Sequence, residues 1–121
     1  MRKATFIVML GIAVAVIAGV SPLKWKTTYI DLGEVTQNEL QNLTFEFTNM
    51  SGSSIQILEA KGSCGCTNVR FPKGEIRSGE TASITADFRS GSLGAFKKNI
   101  RIKTSDSDGY TYLHFKGQVV K

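Results

Sequence analysis

The chain has 121 residues, with 15 Lys and Arg against 10 Asp and Glu, which gives a formal net charge of +5 at pH 7. Its basic residues form no long run, and neither a recognition helix nor an aromatic ribonucleoprotein motif is present, so a nucleic-acid function is excluded. The residues after position 23 are enough for one domain with one core and too few for two.

The first 23 residues are predicted to form a hydrophobic helix. Arg2 and Lys3 precede an almost unbroken apolar run at 5–20, which ends at Ser21-Pro22. A helix over 5–23 falls a little short of the hydrocarbon core of about 30 Å, so both an uncleaved anchor and a cleaved signal peptide remain open, and we favour the anchor. The positive N-terminus favours the cytoplasm, which places the domain at 24–121 in the periplasm or otherwise outside the cytoplasm.

Trp25 lies between Lys24 and Lys26, just outside the apolar segment. Tryptophan flanked by lysine is typical of a residue anchored at the membrane interface. The alternative is a linker residue that folds back on the domain.

Beyond residue 26 the hydrophobic period is two, and β-branched and aromatic residues dominate. We therefore expect an all-β domain, an immunoglobulin-like antiparallel β-sandwich of about seven strands. Lys98 interrupts the inward row of the sixth strand and indicates either a snorkelling side chain or a bulge. The expected strands are 27–32, 43–48, 54–60, 67–71, 82–88, 96–102 and a last one around 113–115.

The outward rows of the last two strands combine cations with aromatic rings. Tyrosine gives contact area and cations give orientation, so this face is predicted to bind a protein partner. The alternative is a solvated face whose charges prevent aggregation. The predicted partner-binding residues are Lys97, Arg101, Lys103, Tyr110, Tyr112 and His114.

Cys64 and Cys66 are the only cysteines, and Gly65 separates them. On an extended strand their side chains would share one face, and Gly65 allows the chain to bend and bring them together. A disulfide clasp, two buried free thiols, a Cu(I) site and a thiol-exchange site all remain open. A closed zinc site would need two further ligands, and His114 is the only histidine.

Five motifs resemble an exported bacterial family catalogued as domain of unknown function fifteen seventy-three, akin to ASH and PapD-type sandwiches. The most specific is SCGCT at 63–67; the others are YIDLGEV at 29–35, FEFTN at 45–49, IRSGE at 76–80 and GAFKK at 94–98. Ser78 stands where the family usually has proline, and Ser105 stands where the family often has asparagine. The resemblance implies a sandwich and an exported location, but no activity, because the family has none assigned.

We therefore expect a non-enzymatic, membrane-tethered binding or accessory subunit that docks on a larger membrane or envelope complex. Its expected partners are a protein of that complex and the membrane itself through residues 5–23. We expect no cofactor. We expect no catalytic triad either, because His114 at one end of the chain is a poor start for one. The competing hypothesis is a small redox or copper-handling protein that acts through Cys64 and Cys66.

Overall fold

The computed structural model describes residues 23–121, and this part of the chain contains eight strands joined by loops. The predicted N-terminal helix lies outside these residues, apart from Leu23. Within 23–121 no helix has the length and apolarity needed to cross a membrane. The strands are β1 (Leu23–Trp25), β2 (Tyr29–Thr36), β3 (Gln41–Asn49), β4 (Ile57–Gly62), β5 (Thr67–Arg70), β6 (Thr81–Phe88), β7 (Gly94–Thr104) and β8 (Tyr110–Val120).

The strands form two four-stranded sheets, so the predicted all-β class is confirmed. Sheet A has the order β1-β3-β6-β5, and sheet B has the order β2-β8-β7-β4. The chain passes from sheet A to sheet B between β1 and β2, and β2 then runs parallel to β8. The prediction of a wholly antiparallel sandwich is therefore wrong at this pair, because β2 reaches sheet B from the other sheet instead of through a hairpin.

The core lies between the sheets and follows the alternation of the sequence. In β3, Leu43, Phe45 and Phe47 are buried while the residues between them face outward. The rings of Phe88 and Phe115 meet edge to face with centroids 5.2 Å apart. Strands with one apolar face are what two packed sheets require.

The structure contains one strand, β1, that the sequence did not predict; the expected strand at 27–32 corresponds to β2. Leu23, placed at the end of the N-terminal segment, begins β1 opposite Asn49 and is only 4% exposed. Periodicity fails to detect β1 because three residues are too few to show an alternation. The domain in the structure thus includes Leu23, one residue before the predicted boundary.

Lys98 does not mark a bulge. Its position pairs with Phe115 in an unbroken β7·β8 register, and the side chain is partly buried. Of the two interpretations, partial burial on the inward row favours snorkelling, in which the charged end of the side chain reaches solvent. A bulge does occur in β2, where the register with β8 shifts between Asp31 and Glu34.

Both departures from the family pattern are accommodated. Glu80 N–H donates to the Arg77 carbonyl over 2.9 Å, and Gly79 has a φ of 85°. This is a type II turn with Ser78 at the position where proline is favoured but not required. Ser105 Oγ accepts from Gln56 N–H at 2.9 Å and so joins the β7–β8 loop to the segment before β4.

Candidate functional site: the outer face of sheet B and the cysteine turn

The cysteine turn, residues 63–66, connects β4 of sheet B to β5 of sheet A. Cys64 and Cys66 are joined by a disulfide, with their Cα atoms 5.3 Å apart, and no free cysteine is present in the described chain. Of the alternatives left open by the sequence, the structure supports the disulfide. In residues 23–121 no three His, Cys, Asp or Glu side chains lie close enough together to hold a metal ion.

Backbone hydrogen bonds attach the cysteine turn to both sheets. Ser63 N–H donates to the Asn99 carbonyl over 2.9 Å, and Ser63 Oγ accepts from Asn99 N–H at 3.1 Å. On the other side, Arg89 N–H donates to the Cys66 carbonyl over 3.3 Å. The disulfide is therefore held at one end of the sandwich, where β4, β6 and β7 meet the turn.

Residue Gly62, just before the turn, is required by close packing. A Cβ at this position would lie 2.9 Å from Thr67 Cβ, closer than real side chains approach. The contact lets β4 and β5 converge on the turn and holds Thr67 against it. Thr67 in turn donates its backbone N–H to the Cys64 carbonyl over 3.3 Å.

The outer face of sheet B brings together all of the predicted partner-binding residues. In the β7·β8 register, Arg101 lies opposite Tyr112 and Lys103 lies opposite Tyr110. His114 pairs with Asn99, and Lys97 pairs with Lys116. Since residues directly opposite on antiparallel strands have side chains about 5 Å apart, these rows form one continuous surface.

Cation and ring contacts organise the centre of this face. The Arg101 guanidinium lies 5.1 Å from the Tyr110 ring centroid, and Lys103 Nζ lies 5.5 Å from it. Arg101 also donates to Glu59 of β4 at 2.6 Å, and this hydrogen bond raises the pKa of Arg101. The guanidinium is thus held in place beside the tyrosines instead of moving freely in solvent.

Strands β2 and β4 add residues that the sequence did not assign to the face. Tyr29 pairs with His114, and Lys116 Nζ lies 5.8 Å from the Tyr29 ring. From β4, Lys61 pairs with Arg101. Sequence reasoning missed them because β2 and β4 pair with strands that lie far away in the sequence. The alternation within 27–32 shows which residues share a face of that strand, but it does not show which strand lies beside it.

Three tyrosines of this outer face expose nearly half of their surface. The exposed fractions are 46% for Tyr29, 45% for Tyr110 and 48% for Tyr112. Tyr110 and Tyr112 lie side by side, with ring centroids 6.4 Å apart. The face therefore offers rigid aromatic area surrounded by cations, an arrangement suited to contact with another molecule.

A shallow depression of about 530 Å³ adjoins this face where the β2 bulge separates β2 from β8. Asp31, Lys97 and Lys116 lie around it, and Asp31 and Lys116 approach to 3.9 Å. Gly117 is needed here, because a Cβ would lie 2.7 Å from the Gly33 carbonyl oxygen. The depression carries both charge signs and extends the partner-binding face toward β2.

Trp25 packs on the sandwich. Its ring centroid lies 4.9 Å from that of Phe47, and β1 pairs with β3. This corresponds to the second of the two sequence interpretations, a residue folded back on the domain. Lys24 and Lys26 are exposed on either side of Trp25, and their role at a membrane surface stays a prediction.

Comparison with solved structures finds similar folds at low sequence identity. ASH/PapD-like domain 7 of human CEP192 gives a TM-score of 0.65 at 9% identity and covers 93% of this chain and 98% of that domain. WR4, a C. elegans MSP family member, gives 0.58 at 14% identity, with coverages of 84% and 100%. Identities this low show the fold alone, an immunoglobulin-like sandwich.

A protein of unknown function from Porphyromonas gingivalis W83 gives a TM-score of 0.67 at 11% identity. The match covers 97% of this chain but 54% of that protein, so this chain spans about half of its length.

No curated protein matches the sequence. The model of a family of proteins of unknown function, DUF1573, matches residues 23–119 and confirms the resemblance drawn from the SCGCT motif. The chain belongs to the DUF1573 family.

Proposed function

We propose that this protein is a membrane-tethered binding subunit, non-enzymatic in its docking role, that docks on a protein of a membrane or envelope complex outside the cytoplasm. Docking uses the outer face of sheet B. The observation that carries the proposal is the cluster of half-exposed tyrosines, Tyr29, Tyr110 and Tyr112, set among cations on one flat sheet. Tyrosine and arginine are the residue types enriched at the centres of protein interfaces.

The charge of the face indicates the chemistry of the partner. Glu59, Asp31 and Glu34 contribute carboxylates; Glu59 lies close to Arg101 and Asp31 to Lys116, and Glu34 lines the depression beside β2. The remaining cations leave the face positive, so an acidic partner surface would be attracted and oriented by it. The cations in excess are Lys61, Lys97 and Lys103, with His114 beside them.

A double variant tests the proposal in the native membrane. Tyr112→Ala removes contact area, and Lys61→Glu reverses a charge next to it without replacing either member of the Arg101–Glu59 pair. Arg101→Glu is a poorer choice, because it would place two carboxylates together. We expect the double variant to lose its co-purifying partner while its circular dichroism and melting stay close to wild type.

The matched control changes the opposite sheet. Thr44→Ala with Glu46→Arg alters two exposed positions of β3 on the outer face of sheet A. This control should keep the partner. Retention of the partner by the Tyr112→Ala and Lys61→Glu variant, with loss in the control, would move the interface to sheet A.

A further inference from the structure

The two sulfurs of the Cys64–Cys66 disulfide differ in their surroundings. Cys66 is exposed and Cys64 is partly buried. An external thiolate attacks the sulfur that it can reach, and the other sulfur then leaves as a thiolate. The structure therefore presents Cys66 for attack and Cys64 as the leaving group.

A hydroxyl group is placed where the leaving thiolate would form. Cys64 Sγ lies 3.5 Å from Thr67 Oγ1. A disulfide sulfur has no proton to donate, so the Thr67 hydroxyl must be the donor in this contact. Thr67 is buried against Gly62, which fixes the hydroxyl beside the sulfur before any reaction begins.

A cationic depression adjoins the exposed sulfur. It measures about 440 Å³, and Cys66 lies on its wall together with Arg89, Lys97 and Lys98. Among residues 23–121, none of those that line it carries a carboxylate. Positive charge around the depression attracts an approaching thiolate and any anionic chain that carries it.

Ring size adds a thermodynamic argument. The disulfide joins residues separated by two positions, and closing so short a loop removes little entropy from the unfolded chain. A disulfide stabilised so weakly by the fold is more readily reduced than one that closes a long loop.

From these observations we propose that the Cys64–Cys66 disulfide is a thiol–disulfide exchange site that oxidises a dithiol carried on an anionic peptide or protein. This chemistry differs from docking through sheet B and does not require a docked partner, although Lys97 belongs to both surfaces.

The exchange proceeds in two steps. The first thiolate of the dithiol attacks Cys66 Sγ; the Cys64–Cys66 bond breaks, and its electron pair goes to Cys64 Sγ, which takes a proton from water. The second thiolate then attacks the substrate sulfur of the mixed disulfide and releases the Cys66 thiolate, which also takes a proton from water. The substrate loses two electrons to become a disulfide, and the Cys64–Cys66 pair gains them to become two thiols.

The first test uses the oxidised full-length chain in detergent, with reduced glutathione as the probe. After an acid quench and peptide mapping, we expect glutathione on Cys66 and a free thiol at Cys64. Glutathione mainly on Cys64 would overturn the assignment. So would a disulfide that glutathione reduces only after the chain is unfolded by denaturant.

Thr67 variants test the role of the hydroxyl group. Thr67→Val keeps the shape and removes the donor, so the initial rate of reduction by glutathione should fall about two- to tenfold, the range expected for one hydrogen bond. Thr67→Ser keeps the donor and should retain the wild-type rate. Equal rates for Thr67→Val and wild type, with equal melting temperatures, would contradict a role for Thr67 at Cys64.

The charge of the probe tests the substrate class. At equal thiolate concentration and low salt, anionic glutathione should react faster than cationic cysteamine, on the order of tenfold. Added salt should reduce this preference, because screening acts on the exposed cations. Arg89→Glu with Lys97→Glu should abolish or reverse it. A preference for cysteamine in the wild type would contradict an anionic substrate.

Discussion

The side chain of Asn49 forms three hydrogen bonds at a buried position of the sandwich. Its side chain is fully buried at the end of β3 and donates to the carbonyls of Ser53 and Ile76 at 2.8 and 2.9 Å. Its Oδ1 accepts from Ser51 N–H at 2.9 Å. These bonds, together with the isolated antiparallel bridge between Ile55 and Ile76, tie the loop after β3 to the segment around Ile76.

Replacement of Asn49 by Ala should lower the free energy of unfolding by about 3 kcal/mol, because it removes three side-chain hydrogen bonds worth about 1 kcal/mol each at a buried position. Urea denaturation followed by tryptophan fluorescence measures the change. Asn68→Ala at an exposed position of β5 is the matched control and should remain within about 0.5 kcal/mol of wild type. A loss for Asn49→Ala as small as the control's would show that the buried network contributes little.

The stability of the folded domain at acidic pH should depend on Asp87. Hydrogen bonding from Arg70, at 2.7 Å, lowers the pKa of the Asp87 carboxyl. Because the folded pKa lies below the unfolded value of about 3.9, the stabilisation is complete above that value and is lost as pH falls through the folded pKa. Urea midpoints between pH 5 and 2 should fall more steeply for wild type than for Asp87→Asn or Arg70→Gln, and parallel curves would contradict this.

Among the larger elements, the cysteine turn is attached to both sheets by the backbone hydrogen bonds of Ser63 and Cys66, and the disulfide closes the turn itself. Much of its anchoring is backbone hydrogen bonding that does not require sulfur. The fold is therefore expected to survive loss of the disulfide, even though the turn lies where β4 and β5 meet.

The variant with Cys64→Ser and Cys66→Ser should remain folded and lose about 1–2 kcal/mol of stability, the amount expected for so short a closed loop. Circular dichroism and urea denaturation test both points. Reduced wild type should match the double variant within error. An unfolded double variant would instead show that the disulfide determines whether the two sheets pack together.

The sequence predicted strands best where one buried face alternates over many residues. The alternation predicted β3 from Leu43, Phe45 and Phe47, and it predicted the inward row of β7 from Ile100 and Ile102. Alternation also placed the tyrosines and cations of β7 and β8 on one outer face, as the register confirms. For the same reason the site was partly predictable, because within a strand the period of two fixes which residues share a side.

Non-local pairing could not be predicted in this way. The parallel contact of β2 with β8 depends on where the chain changes sheets, and no residue pattern near Tyr29 encodes that partner. The bulge near Gly33 is visible only in the register, although the sequence did mark Gly33 as a strand end. The distance between Thr67 and Cys64 likewise depends on how β4 and β5 converge.

For the whole molecule, the proposal combines a tether with a docking surface. The apolar residues 5–20 and the cations at positions 2 and 3 are features of sequence, and on them rests the prediction that the segment is retained in the membrane. A retained tether would concentrate the domain at the membrane surface and restrict which partners its outer face can meet.

Intact mass of the membrane-extracted protein should include the N-terminal segment, with or without Met1, and the protein should resist carbonate extraction. Deletion of residues 2–22 behind a cleavable secretion signal is the control and should give a released domain with the same circular dichroism. A mature mass that begins near Gly19, found in the soluble fraction, would show cleavage instead.

Site-specific crosslinking in native membranes tests the central claim most directly. A photoreactive amino acid is placed at Tyr112 on the outer face of sheet B, or at Thr44 on the outer face of sheet A as the control. We predict one discrete crosslinked protein from position 112, absent when Lys61→Glu is added, and none from position 44. A crosslink from position 44 and none from position 112 would contradict docking through sheet B.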